Sequence, residues 1–239
     1  MSHTFFTRGA VLMMLVSCMA TSLPIAAQAQ SRFDWEHYIE MYAARDTDDE
    51  DEDDDRSSRR RGISSSVQRK INQLGDDAVE NLPIPILLGV TRNSLTRNFG
   101  DPRDGGSRSH EGLDIMASRG AYIVSPTDAV VIRTGKSSSA GTYVYTANPG
   151  DETFVYMHLD DIADGIKVGT VLKPGDLIGY VGNTGNAAGG PPHLHFEIRD
   201  GRRAEDPYPR LTGSFANKDL IRSLTAIVKL LQEELKDAR

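Results

Sequence analysis

The chain has 239 residues, 38% of them hydrophobic and 26% charged, with 22 Gly and 11 Pro, which excludes a transmembrane bundle, a coiled coil and a wholly disordered protein. Its net charge of −7 is local, because Asp46–Asp55 holds nine of the 34 acids and Arg56–Arg61 four of the 27 basic residues; the remainder is nearly balanced and offers no broad nucleic-acid surface. Cys18 is the single cysteine, so an intrachain disulfide and a multi-cysteine zinc site are excluded and any metal site must draw on His, Asp and Glu.

Residues 1–29 read as a secretory signal. Arg8 precedes an apolar run, Pro24 breaks it, and Ala27-Gln28-Ala29 supplies a small–x–small cleavage pattern. The run is too short and interrupted for a transmembrane span. Leu15-Val16-Ser17-Cys18 resembles a lipoprotein box, so a lipid anchor on Cys18 is the alternative. Either route exports the protein to the periplasm or beyond.

Residues 30–80 form an arm. A small apolar cluster from Phe33 to Tyr42 is followed by the acidic run and the arginine cluster, which lack the apolar area to offset ordering entropy. Ser65-x-x-Gln68 then reads as a capping box, with Val67, Ile71, Leu74 and Ala78 at helical spacing. Pro83 and Pro85 end this short helix and open an extended segment. The arm is expected to serve placement or regulation, and a protein starting near Asn81 to fold without it.

Residues 81–211 change texture. Short β-rich runs at 122–124, 129–132, 143–146, 153–157, 168–172, 177–181 and 194–198 alternate with turn residues. This pattern predicts a mainly β domain, a compact antiparallel sheet or barrel-like fold with flanking N- and C-terminal helices. Within 212–239, Leu220, Ile221, Leu224, Ile227, Val228, Leu231 and Leu235 make one apolar stripe. It packs on the domain or, on a sharper reading, binds a partner.

Four of the six histidines fall in the β domain. In the strand Pro192–Ile198, alternation sends His193 and His195 to one face and Leu194 and Phe196 to the other. Two imidazoles on a buried face are costly unless something satisfies them. In extended His110-Glu111-Gly112-Leu113-Asp114, His110 and Asp114 share a face, and the missing side chain of Gly112 leaves room for an ion. His110, Asp114 and one of His193 and His195 make a two-histidine, one-carboxylate zinc set with an open fourth position. His158, at the end of another strand, suits acid–base work or oxyanion stabilisation. Glu111 and Glu197 are possible outer partners of the ligands, although solvated surface suits both.

These three segments, with Asn98-Phe99-Gly100, Lys173-Pro174-Gly175-Asp176 and Gly179–Gly185, closely resemble the lysostaphin-like (LytM-type) zinc endopeptidases of bacterial cell walls. The resemblance runs from about Leu95 to Leu211. It implies one Zn2+ held by His110, Asp114 and His195, with His158 and His193 catalytic. It also implies hydrolysis of peptidoglycan stem or cross-link peptides by zinc-activated water, in a groove walled by loops 135–141 and 183–191. Met157, Asp128 and Thr142 depart from the family pattern, and Thr142 bears on substrate detail at the cleft edge. Two other classes compete: a non-catalytic regulator of the same fold that activates a cell-wall amidase, and a wall-binding module with incidental histidines.

Overall fold

The computed structural model describes residues 63–213 and, singly, Val228. The signal segment, Cys18, the acidic and basic runs and the C-terminal stripe apart from Val228 lie outside the described residues. Within 63–213 two α-helices and eleven strands, besides three 3-10 turns, follow in order: α1 (Ser65–Ile71), β1 (Pro102–Arg103), β2 (Arg108–Ser109), β3 (Leu113–Met116), β4 (Tyr122–Val124), β5 (Ala129–Ser137), β6 (Gly141–Asn148), β7 (Glu152–Ile162), β8 (Val171–Leu172), β9 (Leu177–Val181), β10 (His193–Asp200), β11 (Arg203–Glu205) and α2 (Tyr208–Thr212).

An antiparallel sheet in the order β11-β10-β7-β6-β5-β8 is the frame, with β3 paired to β10 and β9 bridging β7 to β4. The path ends at β8 and β11, so the sheet stays open instead of closing into the barrel-like form that its many short strands suggest. β1 and β2 form a separate hairpin.

Strand alternation divides the side chains between two cores. Ile115 of β3, Val131 of β5, Val144 of β6, Phe154 and Tyr156 of β7, and Leu194, Phe196 and Ile198 of β10 fill the main core. Leu82, Ile86 and Leu95, from the extended segment after α1, close it together with Ile123, Ile178 and Leu211. On the opposite sheet face, Val130, Ile132, Tyr143, Tyr145, Ala147 and Val155 make a second core under Ile63, Val67 and Ile71. Every residue of β6 is therefore buried.

The sequence places the cap of α1 at Ser65, whereas Ser64 is the cap, its hydroxyl accepting from the Val67 amide at 3.4 Å. Gln68 instead donates to Asn72 at 2.9 Å. Buried Ile63 anchors the chain just before the cap. The helix also stops at Ile71, short of Ala78, and the carbonyl of Gly75 accepts from the Gly150 amide. A boundary at residue 81 would thus separate α1 from the sheet on which Ile63, Val67 and Ile71 pack.

Large-to-small changes in a packed core cost about 2–5 kcal/mol for Ile→Ala. Ile71→Ala should lower unfolding free energy by that amount in urea denaturation, and a protein truncated to start at Asn81 should show a comparable loss. Stability equal to the full chain in both would place α1 outside the folded unit.

Candidate metal centre

β10 carries the site because its alternation continues past the histidines. Leu194, Phe196 and Ile198 enter the main core, so His193, His195, Glu197 and Arg199 share the other face. β3 lies beside it with His195 opposite Asp114 and His193 opposite Met116. His110 enters from the turn before β3 and is buried.

Three atoms converge. His110 Nε2 lies 2.9 Å from His195 Nδ1 and 3.0 Å from Asp114 Oδ1, and His195 Nδ1 lies 2.9 Å from the same oxygen. The outer nitrogen of each ring is already committed. His110 Nδ1–H donates to the Asn98 carbonyl at 2.7 Å, and His195 Nε2–H to Glu197 Oε1 at 2.9 Å. With these tautomers, two imidazole lone pairs and a carboxylate oxygen face one another across a near-equilateral triangle. A tetrahedral zinc site with Zn–N bonds of about 2.0–2.1 Å spaces its donors by about 3.3 Å, so the triangle would open by a few tenths of an ångström around an ion. The three residues could hold a metal ion.

Asp114 is held from three directions. Its amide donates to Asn98 Oδ1 at 3.2 Å, and its second oxygen, Oδ2, accepts from Arg103 at 2.6 Å. Arg103 reaches it from the β1–β2 hairpin. Burial opposes ionisation of Asp114, but its close contacts with His110 and His195 override it and hold the carboxyl well below its usual range. Burial would likewise discharge His195, yet Asp114 and Glu197 raise it well above the ordinary imidazole value. A proton and a cation therefore compete for the same pocket.

Gly112 serves a different purpose from the one its position suggests. A Cβ there would lie 2.7 Å from the Phe196 carbonyl, 2.8 Å from His195 Nε2 and 2.9 Å from Glu197 Cγ. Nε2 is the outer nitrogen of His195, so the missing side chain makes room for the His195–Glu197 pair and for the approach of β10.

His158 and His193 stand beside the triangle. Their rings are 5.1 Å apart, and His158 lies 5.8 Å from His195. His158 Nδ1–H donates to the Thr184 carbonyl and His193 Nδ1–H to the Pro191 carbonyl, each at 2.9 Å. In both rings Nε2 remains as the atom that can exchange a proton. Burial, then the charges of His195 and His193, push His158 down to about 4, so it is neutral at physiological pH.

His158 reaches the cleft through a bulge. Thr142 pairs with Leu159 but Val144 with Tyr156, so β7 spends one extra residue against β6. His158 takes φ 64 there, a left-handed value that costs a non-glycine residue about 1–3 kcal/mol. Without the bulge, the parity of Phe154 and Tyr156 would send His158 into the main core in place of Leu159.

The cleft around these groups measures about 780 Å3 and is lined by Ser139, Ala140, Asn186 and Ala187 on loops expected to wall it. Those loops pack on each other instead of facing across the groove. Asn186 donates to the Ser139 carbonyl at 3.1 Å, and a Cβ on Gly141 or Gly185 would strike the other loop. The second wall is the β1–β2 hairpin with Arg103, Asp104, Arg108 and Ser109, which β-propensity does not reveal in so Gly- and Asp-rich a stretch. Thr142 is buried beneath the loop contact, its amide donating to Thr184 Oγ1 at 2.9 Å, and does not form the cleft edge.

Glu197 is equally far from solvated surface, being 3% exposed. Arg199 Nε donates to Glu197 Oε2 at 2.5 Å, and its NH2 group to Glu111 at 2.8 Å. His195 and Arg199 together hold the Glu197 carboxyl low in spite of its burial. The period-two pattern that pairs His193 with His195 already contained Glu197 and Arg199. Asn98 and Arg103 had no such local signal, since they meet Asp114 only through the fold.

Residues 108–207 match the family model described as Peptidase family M23. The L-Ala–D-Glu endopeptidase of Bacillus subtilis is 36% identical over 148 residues, which are 58% of this chain and 44% of that protein. The peptidoglycan DD-endopeptidase ShyC of Vibrio cholerae is 34% identical over 97 residues, 41% of this chain and 22% of that one. The chain therefore spans less than half the length of these relatives. The catalytic domain of lysostaphin from Staphylococcus simulans superposes with a TM-score of 0.44 at 27% identity, covering 51% of this chain and 96% of that one.

Because binding a divalent ion must displace the proton that His195 holds, affinity should rise with pH across the neutral range. The slope should approach tenfold per unit, with proton release detected by calorimetry in buffers of differing ionisation enthalpy. Affinity independent of pH from 6 to 8 would contradict this reading of His195.

Proposed function

We propose that this chain, which carries a peptidase family M23 domain, is a zinc metalloendopeptidase that cleaves peptides of peptidoglycan. One observation carries the proposal. The inner nitrogens of His110 and His195 and one oxygen of Asp114 converge within hydrogen-bond distance of one another, while His158 and His193 line the same cleft, with His193 Nε2 3.9 Å from that oxygen. The Bacillus subtilis L-Ala–D-Glu endopeptidase and the Vibrio cholerae peptidoglycan DD-endopeptidase to which this chain is similar supply the substrate class.

In this reading His110 Nε2, His195 Nδ1 and Asp114 Oδ1 would hold the ion. Zinc bound there would supply Lewis acidity and lower the pKa of water from ~15.7 towards ~7. His158, neutral and fixed by Thr184, accepts or holds a proton at Nε2 beside the scissile bond. His193, fixed by Pro191, presents Nε2 on the other side of the same pocket to stabilise negative charge on the carbonyl oxygen or to hand a proton to the leaving amine. Arg103 keeps the second Asp114 oxygen occupied. An extended peptide lies between the β1–β2 hairpin and the joined loops.

Digestion of purified peptidoglycan, with mass analysis of the fragments, tests the activity and names the bond. Asp114→Ala and His195→Ala should lose zinc. His158→Ala and His193→Ala should keep it and lose turnover by ~10²–10⁴-fold, the usual scale for acid–base and oxyanion groups. Zinc binding without cleavage, but with stimulation of a cell-wall amidase, would favour the regulator instead.

Export through residues 1–29 is part of the same proposal, since peptidoglycan lies outside the cytoplasm. It rests on the cleavage pattern Ala27-Gln28-Ala29. N-terminal sequencing of protein recovered from a bacterial periplasm should begin at Gln30, and an acylated Cys18 would show a membrane-anchored protein instead.

A further inference from the structure

One buried ionic chain touches the candidate centre from behind and has no part in the chemistry derived above. It runs from His195 Nε2 to Glu197 Oε1 at 2.9 Å, from Glu197 Oε2 to Arg199 Nε at 2.5 Å, and from Arg199 to Glu111 at 2.8 Å. The Glu197 and Arg199 side chains are each 4% exposed, while Glu111 is 51% exposed. Taking such a charge pair out of water costs several kcal/mol per ion, and apolar residues of similar volume often do as well for stability. Stability alone therefore gives no reason for ions at this place.

Geometry gives one. His195 has two ring nitrogens, and only one can face Asp114 and His110 with its lone pair. An acceptor on Nε2 fixes the proton there and turns Nδ1 inward. Arg199 occupies the other oxygen of Glu197, so the carboxylate stays ionised and cannot rotate away from the ring. Gly112 lets β3 close over this pair, because any Cβ would meet His195 Nε2 and Glu197 Cγ at under 3 Å. Alternation along β10 delivers all three side chains to one face, and Glu111 ties the chain to the segment that carries His110.

We infer that Glu197, held by Arg199 and Glu111, is a positioning residue that selects the Nδ1-facing tautomer and orientation of His195 and thereby sets the affinity of the centre for its metal ion. The inference rests on the reading of His110, Asp114 and His195 as zinc ligands. Partners of this kind typically account for 10–100-fold in metal affinity.

The test is a chelator competition that measures zinc affinity in the full chain, with the absorption spectrum of the cobalt-loaded protein as a second readout. Glu197→Gln keeps an acceptor oxygen but not the charge and should weaken zinc by ~10-fold; Glu197→Ala keeps neither and should weaken it by ~100-fold. The double change Glu197→Leu with Arg199→Met removes the buried charges together, so it should unfold at a urea midpoint near that of the wild type while binding zinc as weakly as Glu197→Ala. In the cobalt protein the ligand-field bands should shift in Glu197→Ala and shift less in Glu197→Gln. Wild-type affinity and an unchanged cobalt spectrum in Glu197→Ala and in the double variant would overturn the positioning role alone. A wild-type protein that binds no zinc would overturn the ligand reading and this inference with it.

Discussion

Strict alternation along β10 is the constraint on which the rest depends. Leu194, Phe196 and Ile198 are completely buried in the main core, and each full burial of such a side chain is worth roughly 1.5–3 kcal/mol. The same pleat sends His193, His195, Glu197 and Arg199 to the other face. A slip of one residue would put four polar side chains into the core and three large apolar ones outside. Core packing thus fixes the register of the chemistry. The pairing of His195 with Asp114 across β3 is then a consequence of where Phe196 sits.

β7 shows the opposite device. Its parity serves packing for most of its length, and a perfectly regular strand would send His158 into the main core. The bulge against β6 breaks that parity for a single residue and restores it at Leu159. Strain at φ 64 is offset by bonds on both sides: the His158 amide donates to the Ala140 carbonyl at 2.9 Å and its ring to Thr184. Those carbonyls belong to the two loops that pack on one another, so the loop contact and the placement of His158 are one arrangement.

Much of this was legible in the sequence, because the informative signals were periodic. Runs such as Tyr143–Thr146 and Leu194–Ile198 fall inside β6 and β10, and period two correctly grouped His193 with His195. The extended reading of His110–Asp114 rightly put the two on one side, although the strand itself begins only at Leu113. What stayed hidden was non-local. β1 and β2 are two residues each and pair only around a glycine-rich turn, so no propensity marks them, yet they deliver Arg103. The bulge at His158 leaves no trace in the spelling of Tyr156–Leu159. Composition also misjudged Ile63, Val67 and Ile71, three apolar residues beside a charged tract, which are enough for one helix face against Tyr145 and Val155.

The charges around the centre balance in a way that explains its donor set. Asp114 and Glu197 are both held ionised against burial, and Arg103 and Arg199 each neutralise the oxygen that the histidines do not use. These four charges cancel around the two imidazoles. In the absence of a metal ion, a proton on His195 relieves the crowding of lone pairs at His110 Nε2, His195 Nδ1 and Asp114 Oδ1. The proposed divalent cation would relieve it better, since it could meet all three donors at once where a proton bridges only two. The arginines do not repel it severely, because each is spent on a carboxylate oxygen that points away from the triangle. Two carboxylates, two guanidinium groups and two oriented imidazoles thus make a pocket whose charge balance suits the one small dication proposed for it.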